Sequence, residues 1–166
     1  MKNKSVLYLA KGKNEKELSA LLKRRALDSF FGEWKTEVTP LGKPIITEPS
    51  GWGISVAHSD GVVAVVIAPC EIGLDIELRK ERKSQRLTDF FHESEKDCDF
   101  YSLWVKKEAY GKLTGEGVFK QKGKALPPDI AFTDLSAEVS AFAGRAFSAV
   151  IATPEGIEKP EIHVFE

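Results

Sequence analysis

Between residues 54 and 78, three apolar segments follow one another with almost no spacer: 54–58, 62–67 and 72–78, separated by Asp60-Gly61 and by Pro69-Cys70-Glu71. Asp-Gly between apolar runs is a hairpin signal, and a proline ends a ladder, so the stretch predicts an antiparallel three-strand meander. The middle segment, Val62-Val63-Ala64-Val65-Val66-Ile67, is apolar at every position, which is the pattern of a strand covered on both faces. At 166 residues, 42% of them hydrophobic, the chain has the material for that cover and can bury roughly 70% of its unfolded surface as one domain.

The flanking sequence predicts what supplies it. A strand is expected at 5–10. A helix follows, because Asn14 with Glu17 resembles a capping box and Leu18, Leu21, Leu22, Ala26, Phe30 and Phe31 approximate one helical face before Gly32. Gly42-Lys43-Pro44 reads as a loop. Beyond the meander, Leu87, Phe90 and Phe91 suggest a short helix. Residues 100–114 suggest a longer, mostly buried one, capped by Ser94 or Asp97 and ending near Gly115. Strands are expected around 130–133, 139–143, 146–153 and 162–165, with Gly144-Arg145 as a hairpin turn. Helices packed on antiparallel sheets make an α+β protein.

Composition excludes several functions. The longest apolar run, 62–68, is far short of the ~20 residues that cross a bilayer, and the basic start lacks a signal-peptide core, so a cytoplasmic protein without membrane association is expected. Cys70 and Cys98 fit neither a disulfide framework nor metal spacing and read as reduced thiols. A net charge of −1 argues against nucleic acid as the partner. Basic residues cluster at Lys23-Arg24-Arg25, at 79–83 and at 120–124, patterns that usually mark solvated faces.

Two constellations carry chemistry. Strand alternation projects Asp75 and Glu77 from one face, with α-carbons about 6.6 Å apart. Two like charges at a buried sheet position call for a cation, whereas on a half-exposed strand they are simply wet. In the long helix, Phe100, Trp104, Glu108 and Lys112 recur every fourth residue on an element apolar nearly all round. Glu108 and Lys112 are either an ordinary exposed i,i+4 pair or an enclosed functional one. Carboxylates of this kind suit a hard divalent cation shared with phosphate oxygens, with magnesium the best fit; Asp75, Glu77 and Glu108 would be its ligands, and Lys43, His58, Lys107 and Lys112 would meet phosphates. His58, His92 and His163 show no zinc spacing, and no Gly-x-Ser-x-Gly nucleophile motif is present.

In this order the motifs resemble the 4′-phosphopantetheinyl transferase superfamily, particularly its monomeric type that activates peptide and polyketide synthetases. The matching residues are Gly42-Lys43-Pro44, Ser55-Val56-Ala57-His58-Ser59, Ile72-Gly73-Leu74-Asp75-Ile76-Glu77, Phe90-Phe91 with Glu95, and Trp104-Val105-Lys106-Lys107-Glu108-Ala109-Tyr110-Gly111-Lys112. The resemblance implies Mg²⁺-dependent transfer of phosphopantetheine from coenzyme A to a serine of an apo acyl or peptidyl carrier protein, with Mn²⁺ as the alternative ion and adenosine 3′,5′-bisphosphate as the other product. It assigns metal binding to Asp75, Glu77 and Glu108, the base to Glu108 and leaving-group stabilisation to Lys112. Coenzyme A contacts fall to Lys43, His58, Ser59, Lys107 and Lys112, with His58 on the 3′-phosphate. Where the family often has serine before the histidine, Ala57 stands. The implied fold is one transferase-like domain over 1–166 with 1–68 and 69–166 as pseudo-twofold halves, and a monomer is favoured over a trimer. Two other readings are a noncatalytic coenzyme A or carrier-protein binding module of the same fold, and a structural interaction domain in which these charges are only solvated.

Overall fold

The computed structural model describes residues 4–81 and 89–166. Along the chain run β1 (Val6–Lys11), α1 (Glu15–Phe30), β2 (Lys35–Val38), β3 (Pro44–Glu48), β4 (Gly53–Ser59), β5 (Val62–Ala68) and β6 (Gly73–Leu78). There follow α2 (Phe100–Thr114), β7 (Ala131–Asp134), α3 (Ser136–Ala143), β8 (Phe147–Thr153) and β9 (Glu161–Val164). One sheet has the order β4-β5-β1-β9, antiparallel except for β9 alongside β1; a second has the order β6-β8-β7, antiparallel throughout; β2 and β3 form a separate hairpin.

The continuous apolar run of β5 is explained by its place in four layers. Val63, Val65 and Ile67 share one core with Tyr8 and with Leu22, Ala26 and Leu27 of α1. Ala64 and Val66 share another with Leu7, Leu9 and, from the second sheet, Leu74, Ile76, Ala149 and Ile151. The outer face of that sheet gives Val150 and Ala152 to Val105, Ala109 and Leu113 of α2. Each face of each sheet thus loses apolar surface to a neighbour, the dominant favourable term in folding. Both cysteines are free, Cys98 exposed and Cys70 half-buried. No described helix is long and apolar enough to cross a membrane.

Several expectations need correcting. The Asp60-Gly61 turn does join β4 to β5, but β6 leaves the meander and pairs with β8, because both edges of β5 are already taken by β4 and β1. The expected strand at 139–143 is helix α3. Val139, Phe142 and Ala143, at helical spacing, pack on the core between the sheets, and Gly144 at φ +69° ends the helix in a left-handed cap. Of the expected loop at Gly42-Lys43-Pro44, the first two residues are loop and Pro44 opens β3. Helix α2 is capped by Asp99, whose side chain accepts the Ser102 N–H, in place of Ser94 or Asp97. Leu87 of the expected short helix, and Arg82 and Lys83 of the basic run, lie outside the described residues.

Gly73 sets the distance between β6 and α2. A β-carbon there would lie 1.9 Å from the Ala109 carbonyl oxygen and 2.5 Å from the Leu113 nitrogen. Backbone on the far side cannot yield as a flexible side chain would, so Gly73→Ala should destabilise the protein by about 1–3 kcal/mol. A urea unfolding midpoint unchanged by the substitution would show that the helix can move away freely.

Candidate functional site

Alternation along β6 puts Asp75 and Glu77 on the same face as Gly73, the face that α2 covers. Glu108 and Lys112 stand one turn apart on that helix. Lys112 does not spend its charge on an exposed i,i+4 pair. Its Nζ donates to Asp75 Oδ1 at 3.3 Å and to the Val56 carbonyl of β4 at 3.1 Å, so one ammonium joins both sheets to the helix.

Asp75 is 5% exposed, and its Oδ2 is buried with no hydrogen-bond partner. Burial pushes its carboxyl up to about 8; Lys112 opposes the shift, and the charges of Glu77 and Glu108 add to it. Glu77 is also raised by burial, against hydrogen bonds from Trp104 and Ser59 and the charge of Lys112. Burial raises Glu108 as well, with Lys112 opposing and Glu77 adding. The three carboxylates therefore feel one another in a partly dry site where, among the described residues, Lys112 is the cation that opposes their shifts. Such clusters of mutually raised acids are where functional sites concentrate.

No group of three or more His, Cys, Asp or Glu among the described residues is already gathered as a metal shell. The donor chemistry nevertheless fits a hard cation: the oxygens are all carboxylate, their mutual repulsion is incompletely neutralised by Lys112, and Asp75 Oδ2 is unsatisfied.

Lys112 also lines a cavity of about 570 Å³ shared with Lys16, Ser19, Lys43, Ser55 and His58. Lys43 reaches it from the loop immediately before β3, with Nζ held by Glu71 Oε2 at 2.8 Å and the Leu113 carbonyl at 2.6 Å. His58 comes from the end of β4, its Nδ1 2.6 Å from Glu15 Oε2. A larger cavity, about 790 Å³, lined in part by Cys70, contains none of the metal-binding, catalytic or coenzyme A residues expected from the sequence.

Two expected coenzyme A contacts stand elsewhere. The Lys107 side chain is fully buried, with Nζ bonded to Glu95 Oε1 at 2.9 Å and the Lys124 carbonyl at 2.6 Å, so it offers no atom to a phosphate. It faces the Phe91 side of α2 because its neighbours Glu108 and Lys112 occupy the β6 side. Ser59 is buried, and its hydroxyl accepts the Leu78 N–H, as Ser55 accepts that of Leu74. These two serines tie the edge of β4 to the edge of β6. Ile76 N–H points the same way by strand alternation, and Ala57, between the serines, brings it no hydroxyl.

Sequence reading missed Glu15, Lys16 and Ser19 as parts of this region. Glu15 carried only the sign of a helix first turn, and its approach to His58 depends on how α1 lies against the β4–β5 hairpin.

No family model matches the chain. Among curated proteins, it is 33% identical over 89 residues to the 4′-phosphopantetheinyl transferase gsp of Aneurinibacillus migulanus, covering 47% of this chain and 37% of the relative. It is 28% identical over 88 residues to the 4′-phosphopantetheinyl transferase psf-1 of Bacillus pumilus, covering 46% and 38%. The match thus spans well under half the length of either relative. Over about half its length, the chain is thus similar in sequence to 4′-phosphopantetheinyl transferases.

Proposed function

We propose that this chain transfers 4′-phosphopantetheine from coenzyme A to a serine of an apo carrier protein. The observation that carries the reading is the meeting of Asp75 and Glu77 with Glu108 and Lys112, at the edge of a cavity that also holds Lys43 and His58. In the proposed reaction the serine oxygen attacks the β-phosphorus of coenzyme A. The bond from that phosphorus to the bridging oxygen breaks, and adenosine 3′,5′-bisphosphate leaves.

Glu108 takes the serine proton, a task suited to a carboxyl whose proton affinity burial has raised above the ordinary range. Lys112, already between Asp75 and the cavity, stabilises charge on the leaving phosphate. Lys43 and His58 bind the nucleotide half. Asp75, Glu77 and Glu108 would hold Mg²⁺, which when bound supplies positive charge to the pyrophosphate oxygens. Phosphoryl-type transfer depends mainly on positioning and charge stabilisation, and this site is furnished for both.

The test is the intact mass of an apo acyl carrier protein and an apo peptidyl carrier protein after incubation with this chain, coenzyme A and Mg²⁺. A gain of one phosphopantetheine, abolished by a chelator, is expected on at least one carrier. No gain on either overturns transfer. One observation points to a binding module instead: Ala57 stands where the family often has serine. That reading requires coenzyme A to bind while neither carrier gains mass.

A further inference from the structure

We propose that Glu15 is a positioning residue that sets the His58 ring for a phosphate, so that the cavity distinguishes a 3′-phosphorylated nucleotide from its dephospho form; this rests on the coenzyme A reading above. Glu15 opens helix α1 and uses both carboxylate oxygens. Oε1 accepts the Gly61 N–H of the β4–β5 turn at 2.6 Å, and Oε2 lies 2.6 Å from His58 Nδ1. The first bond fixes the carboxylate to the hairpin that carries His58. The second then fixes the ring.

Proton placement follows from this geometry. The Gly61 hydrogen bond holds the Glu15 carboxyl below the usual range, with burial working the other way and His58 adding to the lowering, so the group is an ionised acceptor. An acceptor-only partner requires the proton of His58 on Nδ1. Nε2, on the opposite edge of the ring, is left for the cavity that His58 lines. When the ring takes a second proton, Nε2–H becomes a charged donor with its direction already set. Half of the His58 side chain is exposed, at 52%, so without Glu15 little else holds the imidazole in one orientation.

Helix register brings two further groups to the same wall. Lys16 is adjacent to Glu15 and Ser19 is one turn on; both line the cavity, and Ser19 Oγ is buried with no hydrogen-bond partner. A cationic side chain, an unsatisfied hydroxyl and an oriented imidazole together suit a phosphate monoester.

A clip that merely fastens α1 to the hairpin would use the same contacts, and binding measurements separate the two roles. Calorimetric affinities for coenzyme A and 3′-dephospho-coenzyme A would be taken for the unaltered chain, Glu15→Ala, His58→Ala and the double variant. Glu15→Ala should weaken coenzyme A by about tenfold and the dephospho form by less than about twofold. In the His58→Ala background, the same substitution should change neither affinity further. Glu15→Gln keeps the side-chain size and one acceptor, and should show a smaller loss of discrimination in a chain that folds as the parent does. Equal weakening of both nucleotides, or losses that multiply in the double variant, would overturn the positioning role and leave the transferase reading standing. Failure of the unaltered chain to bind either nucleotide would overturn both.

Discussion

Glu108→Gln should lower the single-turnover rate of phosphopantetheine transfer by about 10²–10⁴-fold, the range that a positioned general base supplies. The amide keeps the size of the side chain and removes its capacity to take the serine proton. Coenzyme A affinity in the absence of metal should change much less, because Glu108 does not line the cavity that holds Lys43 and His58. Stability of the metal-free protein should hold or rise. Burial and the Glu77 charge both disfavour ionised Glu108, so its replacement removes repulsion rather than support. A variant that turns over at the parental rate would remove Glu108 from the chemistry. A variant that unfolds at much lower urea would instead mean that its carboxylate holds the fold.

That expectation could be framed from the sequence because its residues depend on local periodicity. Asp75 and Glu77 share a face by strand alternation, and Glu108 and Lys112 share one by helical spacing; neither inference needs the tertiary fold. What the sequence left open was whether those faces meet. The answer lies in Gly73, which lets α2 approach the same side of β6, and in Lys112, which reaches Asp75 instead of Glu108. The β6 error has the opposite origin. Pairing with the preceding strand is the local default, and β1, from far along the chain, had already claimed that edge of β5. Residues 139–143 read as a strand because Val139 to Ala143 is short and rich in small apolar residues, where the two periods are hard to tell apart. Lys107 shows the limit of motif reading. It is adjacent to Glu108 in the sequence, but a helix turns about 100° per residue, so neighbouring side chains serve different sides of the element.

On its own side of α2, Lys107 supports the second large effect: Glu95→Gln should destabilise the protein by about 3–5 kcal/mol, the usual cost of removing one partner from a buried ion pair. Lys107 has no exposed side-chain surface and Glu95 is 9% exposed, so little water reaches the ammonium if its partner is lost. Glu95 does more than neutralise it. Its carboxylate accepts the His92 N–H at 2.9 Å and lies 3.5 Å from the Leu126 nitrogen, joining a short 3-10 turn, α2 and the loop after it. Burial alone would raise the Glu95 carboxyl, yet the Lys107 hydrogen bond and charge, with the His92 and Leu126 N–H groups, hold it below the usual range. A lowered carboxyl contributes stability that is complete above its unfolded value, about 4.3, and lost as pH falls through its folded value. The gap between parent and Glu95→Gln should therefore be full at pH 7 and should narrow as the pH drops below about 4.3. Urea unfolding across that range measures it. Replacing both partners, Glu95→Gln with Lys107→Met, should recover much of the loss, since the uncompensated charge is then gone. A pH-independent gap, or a double variant as unstable as the sum of the singles, would mean that Glu95 acts through packing and not through Lys107.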